Sequence, residues 1–281
     1  MTETLRCYRH PDRETGVSCS ECGRGICPDC MRFAPVGIRC PDHSGEAQGA
    51  KRVVQRAQVA TAAAPGLVAK TLVGLNVGIY LLSLALGGDT DGRGSSVYLE
   101  GVLFGPLVAE GEWWRLLTSA FLHGGIFHLG MNMLVLWWFG PALEQLLGSG
   151  RFLLLYLSSG LAGAAGALID SPDIPVVGAS GAIYGLFGAI LVLERQGTFV
   201  FGASVIPLLA INFALTFFVP WISKGGHIGG FVGGILGLLL VSRFGRRRVV
   251  GGARFDALGV AGIVAVGVLS VAVAFWQVGL T

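Results

Sequence analysis

The chain has 281 residues, of which 53% are hydrophobic and 13% are charged. A soluble globular protein carries about 25% charged residues, so an ordinary soluble enzyme is excluded. The net charge of +3 is too small for nucleic acid to be the main partner.

Charge divides the chain. Residues 1–56 hold 16 charged side chains and residues 57–281 hold 21. All six cysteines lie between Cys7 and Cys40. This predicts a small polar module over 1–46, a linker over 47–65 containing Lys51, Arg52 and Arg56, and a membrane domain beyond.

The module carries Cys7-x2-His10, Cys19-x2-Cys22, Cys27-x2-Cys30 and Cys40-x2-His43. A two-residue spacing lets one tight turn present two donors to a tetrahedral metal, and eight ligands suffice for two Zn²⁺ ions. So short a segment builds little apolar core, so metal binding would supply folding free energy. A disulfide knot is the competing reading, but it leaves His10 and His43 unexplained at matching offsets. Residues 1–6 lack an apolar stretch, so no cleavable signal peptide is expected to carry the module to the oxidising compartment that a disulfide knot needs; the distribution of basic residues makes the module cytoplasmic. The spacing resembles B-box zinc-binding domains. That resemblance implies that Cys7, His10, Cys27 and Cys30 share one ion, and Cys19, Cys22, Cys40 and His43 the other. Both sites would be structural, with no cofactor for catalysis.

Seven apolar segments follow, over 66–86, 121–147, 152–169, 177–193, 198–219, 226–242 and 257–278. Each is read as a membrane span of about 20 residues. Residues 87–120, with Trp113 and Trp114, read as an interfacial loop. With the amino terminus inside, inner loops carry Arg151, Arg195, Arg243, Arg246, Arg247, Arg248 and Arg254; outer loops carry Arg93, Arg115 and Lys224. The positive-inside rule favours this orientation. Glycines four apart, Gly181–Gly185 and Gly226–Gly230–Gly234, predict smooth faces for close helix packing.

Polar groups inside a membrane are costly and mark function. Here they are His123, His128, Asn132, Glu144, Ser180 and His227. Ser180 lies 15 residues before Arg195, and His227 lies 16 before Arg243. Both therefore sit roughly 22–24 Å above the inner boundary. A serine and a histidine at one depth can pair as nucleophile and base. His128 and Asn132, four apart, share a helix face and could donate to a developing oxyanion. No acidic residue lies deep enough for a triad, so a dyad is implied. His123 is read as structural, and Glu144 as pairing locally or capping a neighbouring helix.

The chain resembles the rhomboid family of intramembrane serine proteases. The resemblance rests on Trp114-Arg115, His128-x3-Asn132, Gly178-Ala179-Ser180-Gly181, Glu144-Gln145-Leu146-Leu147-Gly148-Ser149-Gly150-Arg151, and Gly226-His227 with Gly230 and Gly234. It implies an all-α polytopic membrane protein with a six-helix core over 66–242. The basic loop and seventh span, 243–281, would be an addition, as would the zinc module. It further implies that Ser180 is the nucleophile and His227 the base. His128, Asn132 and the Ser180 N–H would form the oxyanion site, lined by Gly178, and Tyr184 would pack on the histidine. Trp114 and Arg115 would brace the first loop, and 220–225 would be a movable cap. Substrates would be single-span membrane proteins cut in or near the bilayer, with the zinc module free to bind a protein partner. A bacterial plasma membrane is the expected location. A non-catalytic, client-binding rhomboid-like protein is the alternative; such proteins lose the serine or histidine, and both stand here. A histidine-relay transporter would need an inverted repeat, which the sequence lacks.

Overall fold

The structure is a computed structural model that describes residues 5–33, 37–43, 66–198, 200–201, 203–244 and 257–279. The predicted linker 47–65 and the orienting residues Arg246, Arg247, Arg248 and Arg254 lie outside these. The chain forms two compact units, Met1–Ala60 and Thr61–Thr281.

In the first unit, two short antiparallel strands, β1 (Arg32–Phe33) and β2 (Ile38–Arg39), accompany a 3-10 turn at Pro28–Cys30. Its buried cluster consists of Ile26 with Cys7, Cys19, Cys27, Cys30 and Cys40. Five of these six buried residues are cysteines, with Tyr8, Val17, Met31 and Ile38 packed against them.

The second unit is all helical. Its seven main helices are α1 (Leu67–Ala85), α2 (Ile126–Leu147), α3 (Ser149–Asp170), α4 (Ser180–Arg195), α5 (Ile206–Phe218), α6 (Lys224–Phe244) and α7 (Ala257–Val278). Each occupies one predicted segment. Five of them, α1, α2, α3, α6 and α7, are long and apolar enough to cross a membrane. The other two are shorter than the expected span. α4 has 16 residues, eleven of them buried, and sits as the central post of the bundle. Before it the chain runs extended, with Val176 bridged to Leu103. Irregular backbone is tolerated at such depth when protein surrounds it. α5 has 13 residues, carries Pro207 in its first turn and stops before Pro220. α2 also begins later than predicted, because Gly125 adopts a φ of +105° and separates it from the 3-10 turn Ser119–Phe121. That conformation is cheap only for glycine.

Glycine governs how closely the inner helices approach. The Gly181 Cα lies 3.0 Å from where a Cβ on Gly163 would stand, which brings α3 against α4. On α6, Cβ atoms at Gly230 and Gly234 would collide with the backbone of Gly181 and Gly185 on α4. Small residues let backbones touch in this way. Glu144, buried on α2, accepts from Val68 N (3.2 Å), Ala69 N (2.9 Å) and the Ser149 hydroxyl (2.6 Å). It caps the start of α1, satisfying amides that the helix cannot. α7 packs on α3 and α6, with Ser158 Oγ donating to Ile263 O (3.0 Å) and Gly267 set against Ser158.

The interfacial loop holds three short helices, Ser96–Gly101, Gly105–Ala109 and Arg115–Thr118. Arg115 is 4% exposed. It donates to Leu99 O (2.8 Å), Val102 O (2.9 Å) and Glu112 (2.7 Å), and Trp114 Nε1 donates to Glu100 O (3.1 Å). One guanidinium fork thereby ties the loop to itself.

Candidate active site

Ser180 is the first residue of α4, and His227 stands on the first turn of α6. The glycine contacts below them hold these two helix ends together. His227 Nε2 lies 2.9 Å from Ser180 Oγ, within hydrogen-bond reach for general-base activation. His227 is 8% exposed. Tyr184, one turn below Ser180, stacks on the imidazole with centroids 3.9 Å apart and planes at 19°.

Thr216 of α5 was not singled out by the sequence. Its Oγ1 lies 2.7 Å from His227 Nδ1 and 2.7 Å from the Tyr184 hydroxyl. Thr216 is fully buried. A threonine in an apolar helix gives no sequence signal beyond its depth, because its hydroxyl can satisfy itself on the preceding turn.

The oxyanion candidates gather on the other side of Ser180. The Gly124 N–H donates to His128 Nδ1 (3.3 Å). In a neutral ring the hydrogen then resides on Nε2. Gly178 adopts a φ of +132°, and a Cβ there would stand 2.7 Å from His128 Cε1 and Nε2 and 3.7 Å from Asn132 Nδ2. Glycine therefore opens the space into which both donors point. Asn132 Nδ2 is buried and has no partner among the described residues. An unpaired buried donor is costly, and an arriving oxygen would relieve that cost. The first amides of α4 are free by helix geometry.

His123 is 2% exposed, with its ring 5.2 Å from that of His128. It stands beside His128 rather than in the Ser180–His227 pair. The segment 220–225 is anchored at one end: Asp170 accepts from Gly225 N (3.3 Å) and Ser223 Oγ from Gly226 N (3.1 Å). Trp221 projects outward, 86% exposed.

In the first unit, two quartets have donor atoms within 4.8 Å of one another: Cys7, His10, Cys27 and Cys30, and Cys19, Cys22, Cys40 and His43. His10 Nδ1 lies 3.4 Å from Cys27 Sγ and 3.5 Å from Cys30 Sγ. Cys22 Sγ lies 3.9 Å from Cys40 Sγ. With Zn–S near 2.3 Å and Zn–N near 2.0 Å, a tetrahedron requires about 3.5 Å between sulfur and nitrogen and about 3.8 Å between sulfurs. The donor sets fit. Tight turns position them, with His10 N donating to Cys7 O (3.2 Å), Cys30 N to Cys27 O (2.9 Å) and His43 N to Cys40 O (3.0 Å). Burial raises the Cys7 thiol, but backbone amides of Cys27 and Arg9 and the His10 ring outweigh it and lower it to about 6. Burial likewise opposes, and amides of Cys40, Cys22 and Glu21 outweigh it, in lowering Cys19 to about 6. Metal ligation needs these thiolates.

Residues 110–244 match the rhomboid domain. The chain is 40% identical to rhomboid protease GluP of Bacillus subtilis strain 168 over 184 residues, which cover 62% of this chain and 36% of that protein. It is 42% identical to putative rhomboid protease YdcA of the same organism, over 50% of this chain and 73% of that one. It is also 32% identical to Inactive RHOMBOID-like protein 8 of Arabidopsis thaliana, over 48% of this chain and 40% of that one. The matched region thus spans about a third of GluP and three quarters of YdcA.

Proposed function

This chain belongs to the rhomboid family, and from that premise we propose that it is an intramembrane serine endopeptidase. Membership alone leaves activity open, since one relative is named inactive. The carrying observation is the 2.9 Å pair of Ser180 Oγ and His227 Nε2 on two helices locked by glycine.

His227 Nε2 takes the Ser180 proton as Oγ attacks the scissile carbonyl. The carbonyl oxygen acquires negative charge and receives hydrogen bonds from His128 Nε2–H, Asn132 Nδ2–H and the Ser180 N–H. Collapse of the tetrahedral intermediate releases the amine, which takes its proton from His227. Water then enters, is deprotonated by the same nitrogen and hydrolyses the acyl-enzyme. Tyr184 keeps the imidazole in plane throughout. Substrates are single-span membrane proteins, cut in or near their transmembrane segment. The cap at 220–225 admits water from the outer side.

The cytoplasmic module, 1–46, is a B-box-like domain folded around two structural Zn²⁺ ions by the two quartets. It serves as a docking site for a protein partner. Residues 47–65 link it to the core, 66–242, and 243–281 add a basic loop and the seventh helix. The excess of inner-loop arginines supports a cytoplasmic amino terminus, and we place the protein in a bacterial plasma membrane.

The test is cleavage of a single-span reporter by purified protein in liposomes. Ser180→Ala and His227→Ala each abolish it while the protein remains folded, and a fluorophosphonate labels Ser180 in the unaltered chain. Cleavage by Ser180→Ala at the unaltered rate refutes the proposal.

A further inference from the structure

His227 has two ring nitrogens, and only one faces Ser180. To accept the serine proton, Nε2 must be bare, so the single hydrogen of the neutral ring must sit on Nδ1. In soluble serine hydrolases a carboxylate receives that N–H. No carboxylate bonds to His227 Nδ1 among the described residues; Thr216 Oγ1 stands there instead, at 2.7 Å.

The surroundings of Thr216 offer its proton acceptors other than the ring. Its hydroxyl is 2.9 Å from Asn212 O on its own helix and 2.7 Å from the Tyr184 hydroxyl. The Tyr184 hydroxyl is itself 2.8 Å from Asn212 O. A carbonyl can only accept. It can draw either hydroxyl proton directly, while the other hydroxyl donates to the neighbouring hydroxyl oxygen. Either arrangement directs the Thr216 proton away from the ring and leaves its oxygen to accept from Nδ1–H. The opposite arrangement, with Thr216 donating to Nδ1, exchanges only the Thr216–Asn212 O bond, but it loads Nε2 with the hydrogen that blocks catalysis, so a working dyad requires the first.

We infer that Thr216 is a positioning residue for the general base: its oxygen, backed by Asn212 O and Tyr184, holds His227 with the hydrogen on Nδ1 and Nε2 turned to Ser180. This rests on reading Ser180 and His227 as nucleophile and base. Thr216 moves no proton itself. As the imidazolium forms, the Nδ1–H gains charge and the threonine oxygen strengthens its hold. The arrangement is a triad whose third member is neutral and comes from a third helix. α5 buries only Leu209 and Thr216 of its 13 residues, so a hydroxyl on one of its two buried positions is well spent on the ring.

The experiment compares Thr216→Val, which keeps the shape and removes the hydroxyl, with Thr216→Ser, which keeps the hydroxyl. Purified full-length proteins are assayed in liposomes for kcat and KM on a single-span reporter, and for the rate of fluorophosphonate labelling. A buried N–H left without an acceptor predicts that Thr216→Val lowers kcat roughly 10- to 100-fold. KM should stay within about twofold, since ground-state binding is untouched. Labelling slows in parallel, and Thr216→Ser restores most of both. If Thr216→Val does not fold, Thr216→Ala against Thr216→Ser makes the same comparison. An unchanged kcat without the hydroxyl, or equal losses in the serine and valine variants, overturns the inference. Failure of the unaltered protein to cleave or label would instead remove the dyad reading on which it stands.

Discussion

Gly230→Ala tests whether glycine contacts set the catalytic distance. Gly230 lies one turn along α6 from His227 and faces Gly181, the residue after Ser180. An added methyl would lie 2.6 Å from the Gly181 carbonyl carbon, 2.9 Å from its Cα, and closer still to the carbonyl oxygen. These are backbone atoms and cannot rotate aside. Restoring an ordinary contact of about 3.4 Å requires α6 to withdraw by at least ~0.8 Å. Along the Ser180–His227 line, a movement of that size stretches the bond from 2.9 Å to at least about 3.7 Å, beyond hydrogen-bond range. Misplacement on this scale costs on the order of 100-fold in rate, and the overpacking costs about 1–3 kcal/mol. The assay is reporter cleavage in liposomes alongside thermal unfolding in detergent. Gly78→Ala on α1, where a methyl meets nothing within 4 Å, is the control and should cleave normally. Cleavage by Gly230→Ala within twofold of the unaltered protein, with an unshifted unfolding midpoint, would refute the reasoning.

Other outcomes follow from the same geometry. Gly178→Ala forces a side chain into a φ of +132° and drives it into His128; cleavage should fall roughly 100-fold, and full activity would show that His128 is not needed where it stands. Glu144→Gln replaces one acceptor oxygen with an amide that faces the amides of α1, at a cost of about 1–3 kcal/mol; an unchanged unfolding midpoint would remove the capping argument. Metal analysis of the full chain, purified under reducing conditions, should find two zinc ions. A strong chelator should then release both and melt the cysteine module while leaving the far-ultraviolet signal of the helical bundle largely intact. A folded chain with all six thiols free and no zinc would overturn the metal reading.

The metal-ligand pairs were accessible from spacing because each pair is local, whereas their grouping into quartets was implied only by the B-box resemblance. A Cys-x2-Cys turn is a property of four residues, and the structure gathers the pairs Cys7/His10 with Cys27/Cys30 and Cys19/Cys22 with Cys40/His43. Helix positions were accessible because apolar runs report burial in lipid or protein. Their lengths were less so: α4 reads as a span, but its chain enters the bundle extended, and hydropathy does not distinguish lipid from a protein interior.

The depth of Ser180 and His227 could be counted along the chain from arginine anchors, since a helix rises by a constant increment. Depth is one coordinate. Which side chains meet at that depth depends on helix rotation and on lateral neighbours, and no periodicity encodes these. Thr216 on His227, 11 residues apart but on different helices, emerged only in three dimensions; capping by Glu144 was one of two expected roles, but that it caps the start of α1, 75 residues away, was visible only there. The sequence by itself determined the two-part chain, the ligand pairs, the apolar helices and the depth of the polar groups, all of them local or axial properties. The tertiary structure alone decided which glycines touch, what faces the second nitrogen of His227, and what lies beside Gly178, because a hydrogen bond or backbone contact turns on a few tenths of an ångström across separate helices.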